Sequence, residues 1–147
     1  MSVTENNLGF LLADSTRLLR RAFQNQMQDS GLTLAQARAL IYVSRNEGVR
    51  QVELAEMLEI QPITLARLLD QLTQQGLVER RADPSDRRAY LIYLTDAATP
   101  HLNSIKQVGS KIKQFALQGM NDEQALQFMQ SLNTIRDQLY LLTEQKP

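Results

Sequence analysis

Apolar residues recur at helical spacing along most of this chain, and one segment breaks the pattern: Gly76-Leu77-Val78-Glu79-Arg80-Arg81-Ala82-Asp83-Pro84-Ser85-Asp86-Arg87-Arg88-Ala89-Tyr90-Leu91-Ile92-Tyr93-Leu94-Thr95. Leu77 to Arg81 and Tyr90 to Leu94 are short runs rich in β-branched and aromatic residues. The strong turn formers Asp83-Pro84-Ser85-Asp86 stand between them. The segment predicts a β-hairpin with a long polar tip that carries arginine. A helical chain that builds one hairpin and arms it with arginine needs a reason for it.

The flanking helices are read from periodicity and caps. Leu8, Leu11, Leu12, Leu18, Leu19, Ala22, Phe23 and Met27 keep a 3.6-residue period, which predicts a long first helix ending before Gly31. Thr33-Leu34-Ala35-Gln36 has the form of a capping box, and a second helix runs from it to about Glu47. Gln51 to Leu58 reads as a short third helix. Pro62 opens a fourth, which buries Leu65, Leu68, Leu69 and Leu72 and closes at Gly76. After the hairpin, Thr95-Asp96 is expected to cap a fifth helix, with Pro100 in its second turn bending the start. Leu102, Ile105, Val108, Ile112 and Phe115 form its apolar stripe. Asn121 to Gln124 starts a last helix that buries Ala125, Phe128, Met129, Leu132, Ile135, Leu139 and Leu142.

Two short helices joined by a tight turn and followed at once by a hairpin define a winged helix-turn-helix. The fold class is mainly α, an α+β winged helix with long N- and C-terminal helices. Residues 1–147 make a single domain, with 33–94 as the winged lobe and 8–30 plus 96–144 as a helical lobe. In such a module the second helix of the motif enters the major groove of DNA. Its first turns carry Gln61, Pro62, Ile63, Thr64 and Arg67. Arg67 suits a bidentate contact to guanine or a phosphate clamp, and Ile63 a thymine methyl. Arg67 could equally pair with Asp70 one turn on.

At the hairpin tip Arg87 and Arg88 suit a narrow, A·T-rich minor groove, and Asp86 is placed to hold the Arg88 guanidinium. Arg80 and Arg81, at the hairpin base, suit phosphate contact or pairing with Glu79, Asp83 and Asp86.

Charge gives no help. Sixteen Lys and Arg balance sixteen Asp and Glu over the chain, and from Thr33 to Leu94 eight arginines face eight carboxylates. Only placement at one rim favours DNA. A winged-helix protein-protein interaction module without DNA readout is the alternative. The absence of cysteine excludes a thiolate metal site and thiol redox chemistry. His101 is the only histidine, and no phosphate loop or hydrolytic carboxylate pair appears, so neither an enzyme nor a cofactor is expected. With no cationic leader and no membrane-length apolar run, a cytoplasmic protein without membrane association is the expectation.

The runs Leu68-Leu69-Asp70-Gln71-Leu72, Gly76 to Arg80, Asp83-Pro84-Ser85-Asp86-Arg87-Arg88 and Leu94-Thr95 resemble the MarR family of bacterial transcription regulators, most closely its SlyA-like branch. The resemblance covers nearly the whole chain. It implies a homodimeric repressor-type regulator, paired through the first, fifth and sixth helices, that meets a double-stranded, pseudo-palindromic operator with two recognition helices. Leu8, Leu11, Leu12, Leu102, Ile105, Phe128, Leu132, Leu139 and Leu142 are then the interface candidates, since a monomer would leave part of this stripe exposed. An intramolecular helical core is the alternative use of the same residues. The resemblance also implies release by a small aromatic or phenolic anion, with Arg17 meeting its carboxylate beside Arg38 and Tyr42. Ala37 and Ile41 stand where some relatives carry an aromatic residue and a histidine, a departure that weakens the phenolate expectation.

Overall fold

The computed structural model describes residues 7–145. In chain order the elements are α1 (Leu8–Gln26), a 3-10 turn (Gln28–Ser30), α2 (Leu34–Arg45), β1 (Val49–Arg50), α3 (Gln51–Leu58), α4 (Pro62–Gln74), β2 (Val78–Asp83), β3 (Asp86–Leu94), α5 (Ala98–Ala116) and α6 (Asp122–Glu144). The fold is a winged helix. Two compact units divide the chain, Met1–Ile112 and Lys113–Pro147, with the boundary inside α5. No helix among the described residues is long and apolar enough to cross a membrane.

Local chemistry places the helix starts. At α2 the Gln36 amide donates to Thr33 Oγ1 at 3.1 Å while Gln36 Oε1 accepts from the Thr33 amide at 3.0 Å, a closed capping box. Gln36 is only 5% exposed, and its Nε2 goes on to donate to Gln71 Oε1 on α4 at 3.1 Å. Asn121 and Gln124 close the same box at the start of α6. Pro62 takes the first position of α4, where a missing amide costs nothing. Gly76, at φ +73°, turns the chain out of α4 into β2.

The core of the winged unit is a leucine cluster: Leu40, Leu54, Leu65, Leu69 and Leu72 are fully buried together with Val43, Val78 and Ile92. Each side chain of this size contributes about 1.5–3 kcal/mol on burial. The stripe read on α4 is therefore the face that holds this helix in place.

Several expectations change. The sheet has three strands, in the order β1-β3-β2, and β1 was not foreseen. Val49 and Arg50 pair antiparallel with Ile92 and Leu91, too short a run for any period to register. Asp83 pairs with Asp86 across Pro84 and Ser85, and the register shifts between Ala82, which faces Tyr90, and Asp83, so Arg87, Arg88 and Ala89 belong to β3 but have no partner on β2. Thr95 does not cap α5 with its side chain. Its Oγ1 donates to the Gly76 carbonyl at 2.5 Å and ties the end of the wing to the end of α4. Pro100 is the third residue of α5, in the first turn, where its missing amide would have had no helical partner and no bend is required.

The apolar stripes of α5 and α6 also differ from expectation. Ile105 is 2% exposed within the core and Leu102 packs against it, whereas Phe115 is 77% exposed. No described residue of α6 is buried: Ala125, Met129, Leu132 and Ile135 are half-buried, and Phe128, Leu139 and Leu142 are exposed.

Candidate nucleic-acid interface

The α3–α4 turn sets the geometry. Glu59 adopts a left-handed conformation, φ +55°, and the Ile60 amide donates to the Ala55 carbonyl at 3.1 Å, so the chain reverses within three residues. With Leu65, Leu68, Leu69 and Leu72 buried, the opposite side of the first turns of α4 faces solvent. Gln61, Pro62, Thr64 and Arg67 are exposed there, and Ile63, a large apolar side chain, is 63% exposed. Arg67 forms no ion pair among the described residues, because Asp70 is taken by Arg80.

Arg80 is turned inward, with its side chain 22% exposed. Its Nη1 donates to Asp70 Oδ1 at 2.7 Å, Nη2 to the Ala66 carbonyl at 3.1 Å and Nε to Gln51 Oε1 at 3.2 Å. One guanidinium thus joins β2, α3 and α4. Arg81 pairs with Glu79 and lies over the Tyr93 ring, 3.9 Å from the centroid.

At the wing turn Asp83 is 7% exposed. Its Oδ1 accepts from the Ser85 amide at 2.9 Å and the Ser85 hydroxyl at 2.8 Å, and its Oδ2 pairs with Arg50 at 3.0 Å. The Ser85 amide first, then the Ser85 hydroxyl and Arg50, hold the Asp83 carboxyl below the usual carboxylate range against the opposing effect of burial.

Asp86 does not hold the Arg88 guanidinium: Asp86 Oδ1 accepts from the Arg88 backbone amide at 3.0 Å. Arg87 and Arg88 are exposed and form no ion pair among the described residues. Arg88 and Tyr90 line an open hollow of about 470 Å³ with Arg50, Gln51, Val52 and Pro62. Arg88 therefore borders this hollow and Arg87 does not.

The other site expectations fall elsewhere. Arg17 lies 3.9 Å from Asp14, both exposed, and lines a shallow hollow with Leu12, Thr16, Arg20, Arg21 and Gln24 of the same helix. That hollow includes neither Arg38 nor Tyr42, which are half-buried on α2. Of the interface candidates, Leu8, Leu11, Phe128, Leu139 and Leu142 are exposed, and Leu12 and Leu132 are half-buried. Ile105 is buried in the core of its own chain, and Leu102 is half-buried against that core. Arg50 and Gln51 were missed. Their only sequence signal is their position between the Gly48 turn and the first apolar residues of α3.

This geometry defines a class, a winged helix-turn-helix with an uncovered helix face beside a cationic wing. The kind of winged helix follows from comparison: residues 30–89 match the family model described as MarR family. A MarR transcriptional regulator from Methanosarcina mazei Go1 superposes with a TM-score of 0.84 at 23% identity, over 92% of this chain and 97% of that one. Wild-type MarR in its apo form from E. coli gives 0.80 at 24% identity, covering 88% and 96%. CouR from Rhodococcus jostii RHA1, bound to p-coumaroyl-CoA, gives 0.74 at 26% identity, covering 92% and 95%. The fold is that of the MarR-family transcription regulators, with six helices and a small antiparallel sheet among the described residues.

Proposed function

We propose that this chain is a sequence-specific, DNA-binding transcription regulator of the MarR type, most like its SlyA-like branch, working in the cytoplasm as a homodimer on a pseudo-palindromic operator. The observation that carries the reading is the two-sidedness of α4. Its leucine face is buried, while Gln61, Pro62, Ile63, Thr64 and Arg67 stand in solvent beside a wing whose Arg87 and Arg88 have no carboxylate partner among the described residues. Leaving apolar Ile63 in water is unfavourable unless a surface such as a thymine methyl covers it.

In this reading α4 lies in the major groove, with Arg67 on a guanine edge or a phosphate. Arg87 and Arg88 serve the adjacent minor groove. Arg80 positions α4 instead of touching phosphate. The exposed apolar residues of α1 and α6 support a second copy as their cover, which sets two α4 helices about 34–36 Å apart on the operator. No catalytic step is assigned. The p-coumaroyl-CoA held by CouR supports an aromatic acyl or carboxylate effector here, with Arg17, Arg38 and Tyr42 as the residues to test.

The test is binding to duplexes selected from random DNA at moderate salt. Arg67→Ala and Arg88→Ala each weaken binding more than tenfold, about 1.4 kcal/mol or more, without altering thermal stability. Variants that bind as the parent does would assign the winged lobe to a protein partner instead.

A further inference from the structure

Two side-chain struts hold the wing, and they start from adjacent residues. Gln51, the first residue of α3, receives Arg80 Nε at 3.2 Å, and Arg80 continues to Asp70 and the Ala66 carbonyl on α4. Arg50, the last residue of β1, reaches Asp83 Oδ2 at 3.0 Å and lies 3.5 Å from Ser85 Oγ. One end of β2 is thus fixed through Arg80 and the other through Arg50, both to the β1–α3 junction.

The Arg50 contact is more than turn chemistry. Asp83 already closes its own turn through the Ser85 amide and hydroxyl. In the sheet order β1-β3-β2, the strands bearing Arg50 and Asp83 are not neighbours, so the ion pair spans β3. A bond of that reach ties the wing turn to the start of α3 and, through the short α3–α4 turn, to α4. Arg50 also sits in the lining of the hollow between the wing and Pro62, on the same face as Arg88.

We propose that Arg50 is a positioning residue for DNA readout. Its bond to Asp83 fixes the separation between wing and α4, so that Arg88 meets the minor groove when α4 is seated in the major groove. The inference rests on the DNA-binding reading above. The minor groove is about 6 Å wide and narrower still in A·T tracts, so a wing free to swing loses its preference for A·T-rich flanks before it loses contact with the major groove.

The experiment compares the parent with Arg50→Gln, Arg50→Lys, Asp83→Asn and the Arg50→Gln/Asp83→Asn double variant. The probes are duplexes that share the selected core and carry either A·T or G·C flanks. The parent favours A·T flanks by about tenfold, Arg50→Gln and Asp83→Asn each reduce that ratio to within about twofold, and the double variant is no worse than either. Arg50→Lys keeps part of the preference, because an ammonium can still make a single bond to the carboxylate.

The two single changes alter charge in opposite senses, so electrostatics alone would move affinity in opposite directions and leave the ratio untouched. That result, or a parent with no flank preference, overturns the inference while leaving DNA binding in place. A parent that binds no duplex removes the DNA-binding reading and this inference together. Arg50→Gln and Arg50→Lys leave the Asp83–Ser85 bonds intact, so their comparison decides the matter even if Asp83→Asn folds poorly.

Discussion

Leu65, Leu68, Leu69 and Leu72 of α4 are all buried, whereas none of the described residues of α6 is, although both helices carry apolar residues at helical spacing. An amphipathic period states that a helix needs a cover and is silent about whose side chains supply it. For α4 the cover comes from α2, α3 and the sheet of its own unit. For α6, with Leu126, Tyr140, Leu141 and Leu142 all more than half exposed, we assign it to a second copy of the chain.

The sharpest way to separate these cases is by dependence on protein concentration. Leu69→Ala removes a fully buried side chain and is expected to cost about 2–5 kcal/mol of unfolding stability. Leu139→Ala, at a site 46% exposed in the single chain, is expected to weaken self-association about tenfold, or about 1.4 kcal/mol. Its midpoint in thermal unfolding becomes more sensitive to dilution than the parent's. Light scattering that gives a single chain's mass for the parent at micromolar concentration would break the comparison.

A smaller effect is expected from Gly48→Ala, which tests the self-contained side alone. Gly48 has φ +83°, and a Cβ there would meet the Tyr93 hydroxyl at 3.0 Å, so the change should cost about 1–2 kcal/mol with no change in association. Denaturant titration at two protein concentrations checks both halves of that statement.

The smallest effect concerns pH. The Asp83 carboxyl titrates below its usual range in the folded chain, so its contribution is complete above the unfolded value of about 3.9. That contribution is lost as pH falls through the lower folded value. Acid unfolding of Asp83→Asn should lack this component, and between pH 5 and 8 the Arg50 strut should be insensitive to pH.

Much of the fold was legible because local chemistry decided it. Thr33 with Gln36, Asn121 with Gln124, Pro62 and Gly76 each act within a few residues, and α4 follows from leucine spacing alone. What escaped is non-local. Two residues, Val49 and Arg50, carry no period, so β1 is visible only through its pairing with β3. Of the arginines' partners, Glu79 for Arg81 was legible, whereas Asp70 goes to Arg80 instead of Arg67, and Asp86 bonds an amide instead of a guanidinium. Likewise Ile105 and Leu139 read alike as stripe residues, and only packing distinguishes a core position from an uncovered one.

Gln36 leaves a different kind of consequence. A single buried side-chain amide completes the first turn of α2 with its oxygen and grips Gln71 on α4 with its nitrogen. Fraying at the start of α2 is thereby coupled to loosening of α4. The amides at these two places should exchange their hydrogens at correlated rates, so the helix assigned to read DNA is only as steady as a cap on another helix.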